Sequence, residues 1–349
     1  MKCYGLSPEE IRKNIEKITV AVYGLGKMGL PLACVFADRG FNVIGVDINK
    51  NIVEKINSGE NTVKEEEGLS ELVKKVVKNG KLKATSNAIK ASKMSDIHII
   101  IVPTLLNENK RPDLSIVINI AENIVNGLKK GDMVITECTM PPGATESLIP
   151  ILEKSGLICG KDFGLAHCPE RTSTGTAIRD ISGEYPKIVG GIDEKTNTAL
   201  EGIYSIINKK GVIKTNIKTA EAIKVFEGIY RDVNIALSNE LAIYCEENGI
   251  DAKEAFKKAN TQPYCHLHDP GPGVGGHCIP VYPYFIMNSK TELIKLSRKI
   301  NDSMIDHVID LIIKGLNKTN KNIKDSKILL MGLSFRSGVK EIRNSPTIP

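Results

Sequence analysis

The chain has 349 residues, of which 41% are hydrophobic and 25% charged, with a net charge of +6. This is the balance of a folded globular protein, and the length exceeds one ordinary core, so two or three domains are expected. The longest apolar runs, such as 97–103, are strand-sized and far short of a membrane span. The polar start, with Glu9 and Glu10, lacks the apolar segment of a secretory signal. No dense Lys/Arg block is interleaved with aromatics, so no nucleic-acid partner is expected. The eight cysteines form no CxxC pair, and a chain of this length does not depend on a disulfide framework. They read as reduced thiols of a cytoplasmic protein, most of them core filler, and no metal site is expected. The positive excess suits an anionic small molecule and a solvated lysine surface equally.

Residues 18–24, ITVAVYG, are an apolar, β-branched run. GLGKMG follows at 24–29, then a helical apolar pattern through Leu30, Ala33, Val35 and Ala37 to Gly40, then a second strand at 43–47. Strand, glycine turn, helix and strand within about 30 residues is the context that gives GxGxxG its meaning. Gly24 allows the tight turn, Gly26 lets the backbone approach a pyrophosphate, and Gly29 lets helix and strand pack closely. The pyrophosphate belongs at the helix N-terminus, where free N–H groups point outward; Lys27 and Met28 lie in the same turn. Asp47 stands 21 residues after Gly26, close to the ~20 expected for the acid that binds the adenosine ribose 2′-OH. A carboxylate there repels a 2′-phosphate, so NAD is expected rather than NADP.

An acidic helical segment is predicted at 63–80. Strands follow at 97–104 and in 133–143, the first ending at Thr104 and the second running into Thr139 and a Pro-Pro-Gly turn. Ligands of open α/β sheets bind at the carboxyl ends of the strands, so Thr104 and Thr139 are candidates for the nicotinamide side. Each alone is also an ordinary turn residue. Further strands are predicted at 163–170 and 186–191, with Glu170 and Arg171 closing the first; the plain alternative for that pair is a surface ion pair.

Residues 219–248 contain no proline and carry helical periodicity. Lys224, Gly228 and Arg231 fall at i, i+4 and i+7, on one face. A mid-helix glycine costs about 1 kcal/mol against alanine, so this face needs close approach by another element; a solvated Lys/Arg stripe is the plain alternative. Helical pattern resumes at 289–316. Between the two lies Pro270 to Phe285, PGPGVGGHCIPVYPYF. This composition excludes a helix interior or a central strand. It is a shaped loop that holds one thiol, Cys278, and its backbone amides can form a nest for an oxyanion. By itself the loop does not choose between a nucleophile and a rigid turn around a buried cysteine. The run KILLMGLSF at 327–335 reads as a new strand. A βαβ unit needs about 30 residues or more and 22 follow Lys327, so a third domain is expected to begin here without being completed.

Taken together, GLGKMG with Asp47, VPT at 102–104, ECTMPPG at 137–143, CPER at 168–171, the helix 220–242, GPGVGGHCIP at 271–280 and FRSGVKEIRNSP at 335–346 resemble the UDP-glucose/GDP-mannose dehydrogenase family. His277 before the cysteine, and RDVN in the helix, resemble its branch acting on UDP-N-acetyl-hexosamines. The resemblance implies an α/β fold: an NAD-binding Rossmann domain with a doubly wound parallel sheet at 1–210, a central helical, dimer-forming domain with the cysteine loop at 211–322, and the start of a truncated UDP-binding domain at 323–349. It implies a UDP-sugar substrate, a homodimer or higher homo-oligomer, and two NAD-dependent oxidations of one C6 hydroxyl to a carboxylate. Cys278 then captures the aldehyde, since a thiolate both adds to a carbonyl and leaves readily. Lys224 handles the hydroxyl proton and steadies oxyanions. Thr139 orders water or the nicotinamide. Glu170, Arg171, Thr172, Arg231, Gln262, Tyr264 and Gly275 match positions that meet the nucleotide sugar. Phe335 and Arg336 match substrate contacts of the third domain, and Arg343 a cofactor contact.

The chain departs from the family pattern at several positions. The family asparagine one turn after the lysine is Gly228. The aspartate four residues after the cysteine is Tyr282. The paired acids of the third-domain motif are Lys340 and Glu341, and Gln262 and Tyr264 replace His and Arg. The shortened uridine pocket leads to an expectation of weak or no turnover. Two further classes remain open from sequence: a single-step hydroxyacid dehydrogenase, which needs Lys224 but no thiol, and a non-catalytic NAD-binding remnant.

Overall fold

A computed structural model describes residues 2–337 and 341–348; Lys340 lies outside them. The chain divides into two compact units, Met1–Lys224 and Val225–Pro349.

The first unit is built on an eight-stranded sheet with β1 (Thr19–Tyr23), β2 (Asn42–Val46), β3 (Leu82–Thr85), β4 (Ile97–Ile100), β5 (Met133–Thr136), β6 (Gly164–His167), β7 (Lys187–Gly191) and β8 (Val212–Asn216). Their spatial order is β8-β7-β6-β5-β4-β1-β2-β3. All pairings are parallel except β6 with β7. Residues of β4, β5 and β6 are buried throughout, because helices cover both faces of the sheet. Val20 and Val22 join one apolar core and Ala21 and Tyr23 the other, which is the period-two alternation of a strand between two layers. The order turns back between β1 and β4. That is the switch point where α/β sheets open a crevice.

Four helices matter below: α1 (Gly29–Asp38), α2 (Glu194–Ile207), α3 (Ile217–Asn248) and α4 (Glu292–Lys318). The helices predicted at 219–248 and 289–316 are thus present. The segment predicted helical at 63–80 is helical only over Leu69–Lys78, because Gly68 takes φ +74° and breaks the chain just before it. The strand predicted at 327–335 is a correction. Among the described residues that run forms no strand, and Leu329 and Met331 are 82% and 91% exposed. A strand exists through its ladder, and among the described residues this run has no such partner.

The second unit holds α4 against the C-terminal part of α3 with buried polar groups. Arg298 pairs with Asp232, and also with Asp302 at 2.5 Å. Asn301 Nδ2 donates to the Asp232 carboxylate and backbone oxygens, both at 2.9 Å, and Asn239 donates to Asn301 Oδ1 at 2.9 Å. Burial pushes the Asp232 carboxyl up to about 6 despite the guanidinium beside it. Asn239 Oδ1 also accepts the Gly271 amide at 2.9 Å, so this network reaches the start of the cysteine loop.

Candidate active site

The glycine turn is built as the spacing requires. Gly24 has φ +104°, and a Cβ there would lie 2.5 Å from the Ile101 carbonyl oxygen. A Cβ on Gly29 would lie 1.8 Å from the Gly24 oxygen, so only glycine lets α1 pack so near β1. Gly26 is different: nothing lies within 4 Å of its Cβ direction. Its open side is a cradle that a side chain would fill. Asp47 Oδ2 accepts the Leu25 amide at 3.0 Å and Oδ1 the Asn49 amide at 2.9 Å, which fixes the carboxylate at the end of β2 beside the turn. Lys27 lies 4.0 Å from Glu65, and the Met28 sulfur accepts the Thr172 hydroxyl at 3.1 Å. At the carboxyl end of β4 the Thr104 hydroxyl is buried beside the Cys138 thiol. An open glycine face, a helix N-terminus and a fixed acid fit an NAD molecule laid over the switch point.

Beyond β5 lies a buried charge cluster. Glu137 Oε2 accepts the Lys187 ammonium at 2.6 Å and Oε1 the Tyr204 hydroxyl at 2.5 Å. Desolvation pushes the Glu137 carboxyl up, and Lys187 and Tyr204 oppose it. Lys187 also donates to the Pro169 oxygen at 3.3 Å, and the Glu170 amide to the Glu137 oxygen at 3.1 Å. The Tyr185 hydroxyl donates to the Arg171 oxygen at 2.6 Å, and the Arg171 guanidinium lies 5.1 Å over the Tyr185 ring. Thr172 donates its amide to the Glu170 carboxylate. Residues 168–172 are therefore pinned at both ends, over a cavity lined by Glu137, Arg171, Lys187 and Tyr204 among others. His167, which contacts the Thr136 hydroxyl at 2.9 Å, is pushed down to about 3 by burial and by Lys187 and Lys224. It is neutral at physiological pH, and it places the half-buried Lys224 within electrostatic reach of the carboxyl end of β6. Glu221, one turn before Lys224 on α3, accepts the Gly143 and Thr145 amides at 2.5 and 2.7 Å. It thereby clamps the Pro-Pro-Gly turn that carries the half-buried Thr139.

The second unit carries the thiol. The Cys278 oxygen accepts the Val281 and Tyr282 amides, both at 3.0 Å, and the side chain is partly exposed. His277 is pushed up, first by its hydrogen bond with the Cys278 side chain and also by Glu341, against desolvation; its Nδ1 lies 3.5 Å from the Glu341 carboxylate. Gly276 donates to the Arg343 oxygen at 3.0 Å and accepts from Asn344 Nδ2 at 2.9 Å. A Cβ on Gly275 would lie 2.4 Å from Phe335 Cβ. Gly275, Cys278, Phe335 and Arg343 thus gather around one loop, with Arg336 exposed beside Phe335. Arg231 is exposed on α3. Gln262 and Tyr264 stand on an exposed turn, where Tyr264 is 90% exposed and its amide donates to Gln262 Oε1 at 2.9 Å. Gly228, in mid-helix, faces Tyr282: a Cβ there would lie 2.2 Å from the ring. The two departures from the family pattern at these positions are in contact with each other.

Sequence reasoning missed Glu137, Lys187, Tyr204 and Glu221. Glu137 stands inside a quoted motif, but nothing local marks it as buried or names its partner 50 residues on.

Two family models match: the NAD binding domain of the UDP-glucose/GDP-mannose dehydrogenase family over residues 18–208, and its central domain over residues 218–303. The UDP-N-acetyl-D-mannosamine dehydrogenase of Pyrococcus horikoshii is 38% identical over 333 residues, covering 94% of this chain and 79% of that protein. Its solved structure superposes with a TM-score of 0.91, over 95% of this chain and 79% of that one. The NDP-N-acetyl-D-galactosaminuronic acid dehydrogenase of Ralstonia nicotianae is 38% identical over 346 residues, covering 96% and 79%. A 3-hydroxyisobutyrate dehydrogenase of Mycobacterium tuberculosis, 15% identical with a TM-score of 0.59 over 84% of this chain and 94% of that one, shares the fold alone. The class defined by sheet, glycine turn and comparisons is that of the NAD-dependent oxidoreductases. Within it, the chain belongs to the UDP-glucose/GDP-mannose dehydrogenase family.

Proposed function

We propose that the chain oxidises the C6 hydroxyl of UDP-N-acetyl-D-mannosamine to the carboxylate in two steps, through a covalent intermediate on Cys278. The observation that carries this reading is the Cys278 loop: a partly exposed thiol tied by backbone hydrogen bonds on both sides and partnered by His277. A hydroxyacid dehydrogenase has no use for it. The substrate choice rests on relatives named UDP-N-acetyl-D-mannosamine dehydrogenase at 36–40% identity. UDP-N-acetyl-glucosamine and UDP-glucose are the alternatives.

Two NAD molecules in succession would supply the hydride acceptors, each held by Gly24, Gly26 and Gly29 with Asp47. Lys224 takes the proton of the C6 hydroxyl as the first hydride leaves, giving an aldehyde. The Cys278 thiolate adds to that carbonyl to give a thiohemiacetal. Loss of the second hydride leaves a thioester, and water hydrolyses it to the carboxylate and the free thiolate. Each sugar therefore yields two NADH. Glu170, Arg171 and Thr172, on the pinned loop, and Arg231, Gln262, Tyr264 and Gly275 serve the nucleotide sugar, with Phe335 and Arg336; Thr104, Thr139, Lys27, Met28 and Arg343 serve the cofactor side.

The working division is an NAD-binding domain at 1–210, a central domain at 211–322 and a UDP-binding segment at 323–349. On α3, Tyr230, Leu237 and Tyr244 recur every seven residues and are about half exposed, one face of a helix. A second copy of the chain is the proposed cover, and the mass in solution by light scattering tests it. Among the described residues no helix is long and apolar enough to cross a membrane, and the free thiols fit a cytoplasmic setting.

The deciding experiment is NADH release with UDP-N-acetylmannosamine, UDP-N-acetylglucosamine, UDP-glucose and GDP-mannose. The reading expects the first to be turned over fastest, with two NADH per sugar. One NADH per molecule oxidised would replace it with single-step chemistry, and NAD binding with no measurable turnover of any of the four, against the weak turnover expected of the first, would replace it with a binding role.

A further inference from the structure

Gly228 sits in the interior of α3, where glycine weakens a helix. A Cβ at this position would lie 2.2 Å from Tyr282 Cδ2 and 3.1 Å from Cγ and Cε2, more than an ångström inside ordinary contact. The missing side chain is a notch, and the Tyr282 ring fills it. The ring is 7% exposed and packs on Phe285 with centroids 5.9 Å apart. Its amide donates to the Cys278 oxygen at 3.0 Å. Ring and thiol therefore share one short turn that contains Pro280 and leads into the 3-10 turn Tyr282–Phe285, which contains Pro283; both prolines have a fixed φ. Little backbone freedom remains between the ring and the sulfur. On the other side of Cys278, the loop is held by Gly276 to Arg343 and Asn344. With that side held, the Tyr282 turn holds the loop on the other.

We propose that Tyr282, seated in the Gly228 notch of α3, is a positioning residue that sets where the Cys278 sulfur stands. The proposal rests on the reading of Cys278 as the nucleophile. It assigns no chemistry to the phenol; the shape of the ring is what matters. A methyl at 228 cannot coexist with the ring in its present place, so the displacement passes through the turn to the thiol. Misplacement of a reacting atom by about 1 Å is enough to lower a rate about a hundredfold.

The test is alkylation of Cys278 by iodoacetamide across pH, followed by peptide mass mapping to separate it from the other thiols. It needs neither substrate nor cofactor. The variants are Gly228→Ala, Tyr282→Phe, Tyr282→Leu, Tyr282→Ala and the double Gly228→Ala/Tyr282→Ala, with NADH binding and thermal melting as controls of folding. Tyr282→Phe keeps the ring and should match the parent in rate and pH midpoint. Gly228→Ala, Tyr282→Leu and Tyr282→Ala should each change the rate by about tenfold or more. In the double variant the alanine at 228 should add nothing, because the ring it displaces is gone. Should Gly228→Ala not fold, the three Tyr282 variants still decide. Parent-like alkylation in Tyr282→Leu and Tyr282→Ala would overturn the proposal, as would additive effects in the double variant. Uronate formation that persists in Cys278→Ser would instead remove the nucleophile reading and leave the alkylation result standing by itself.

Discussion

The two glycines of the nucleotide turn should separate binding from stability. Gly26 has open space along its Cβ direction and Gly29 has the Gly24 oxygen at 1.8 Å. Gly26→Ala therefore meets no protein atom, and its φ lies outside the left-handed region. Replacing glycine at a compatible site shifts stability by about 0.4–1 kcal/mol in the favourable direction, through the unfolded chain. The same methyl would occupy the face proposed for the pyrophosphate, so NAD affinity should fall by about tenfold or more, roughly 1.4 kcal/mol. Gly29→Ala forces backbone apart and should cost about 1–3 kcal/mol of stability, with binding lost as well. Urea unfolding followed by circular dichroism gives the first quantity. The chain has no tryptophan, so fluorescence of NADH itself reports the second without energy transfer from indole. Parent-like NADH affinity in Gly26→Ala would refute the placement of the cofactor on this face. Unchanged stability in Gly29→Ala would refute the closeness of the turn.

Cys278→Ser should lower uronate output by about a hundredfold or more while NADH binding is retained, because an alkoxide is a poor substitute for a thiolate in both addition and departure; chromatography of the products measures it. Lys187→Met leaves Glu137 buried with only Tyr204, and breaking such a pair costs about 3–5 kcal/mol. Glu137→Gln/Lys187→Met should recover much of that loss in urea melts, and a double variant as weak as Lys187→Met would contradict the account. Asp232→Asn should be less damaging than Arg298→Met, since the asparagine still accepts from Asn301, whereas the methionine leaves a buried carboxylate. Equal melting temperatures for the two would count against that ordering. The His277 value is raised in the folded chain, so its contribution to stability is full below the unfolded value, near 6.5, and fades as pH rises through the folded one. The gap in urea midpoint between the parent and His277→Gln should therefore shrink from pH 6 to pH 9; a gap that widens would reverse the sign of the argument.

What could be read from the residues was what chemistry ties to short range. The glycine turn needs its three glycines within six residues, and Asp47 follows at the length of one helix and one strand. β4 and β5 were legible because both are buried on two faces and so are apolar throughout. The Cys278 loop was legible as a loop because proline and glycine forbid the alternatives. The rest depends on partners distant in sequence. Glu137 meets Lys187, and Asp232 meets Arg298; neither acid differs locally from a solvated one. Gly228 was marked as odd by its place in a helix, and Tyr282 by the resemblance, as standing where the family has an aspartate. Only the folded chain shows that one oddity answers the other.

The run at 327–335 makes the same point from the opposite side. KILLMGL has the apolar content of a central strand, but Ile328 is its one β-branched residue, where 97–102 has five. β4 is a strand because β1 and β5 flank it and take its amides and carbonyls. The later run has no such neighbours among the described residues, and its side chains face solvent. Propensity of this kind is a fit to a half-buried, pleated surface rather than a property of the backbone. An exposed apolar run with strand propensity is also a template for another chain. Leu329→Lys/Met331→Lys should accordingly raise the concentration at which the chain stays unaggregated, with NADH affinity unchanged. Light scattering against concentration measures this, and identical aggregation of variant and parent would show that the run is covered in solution.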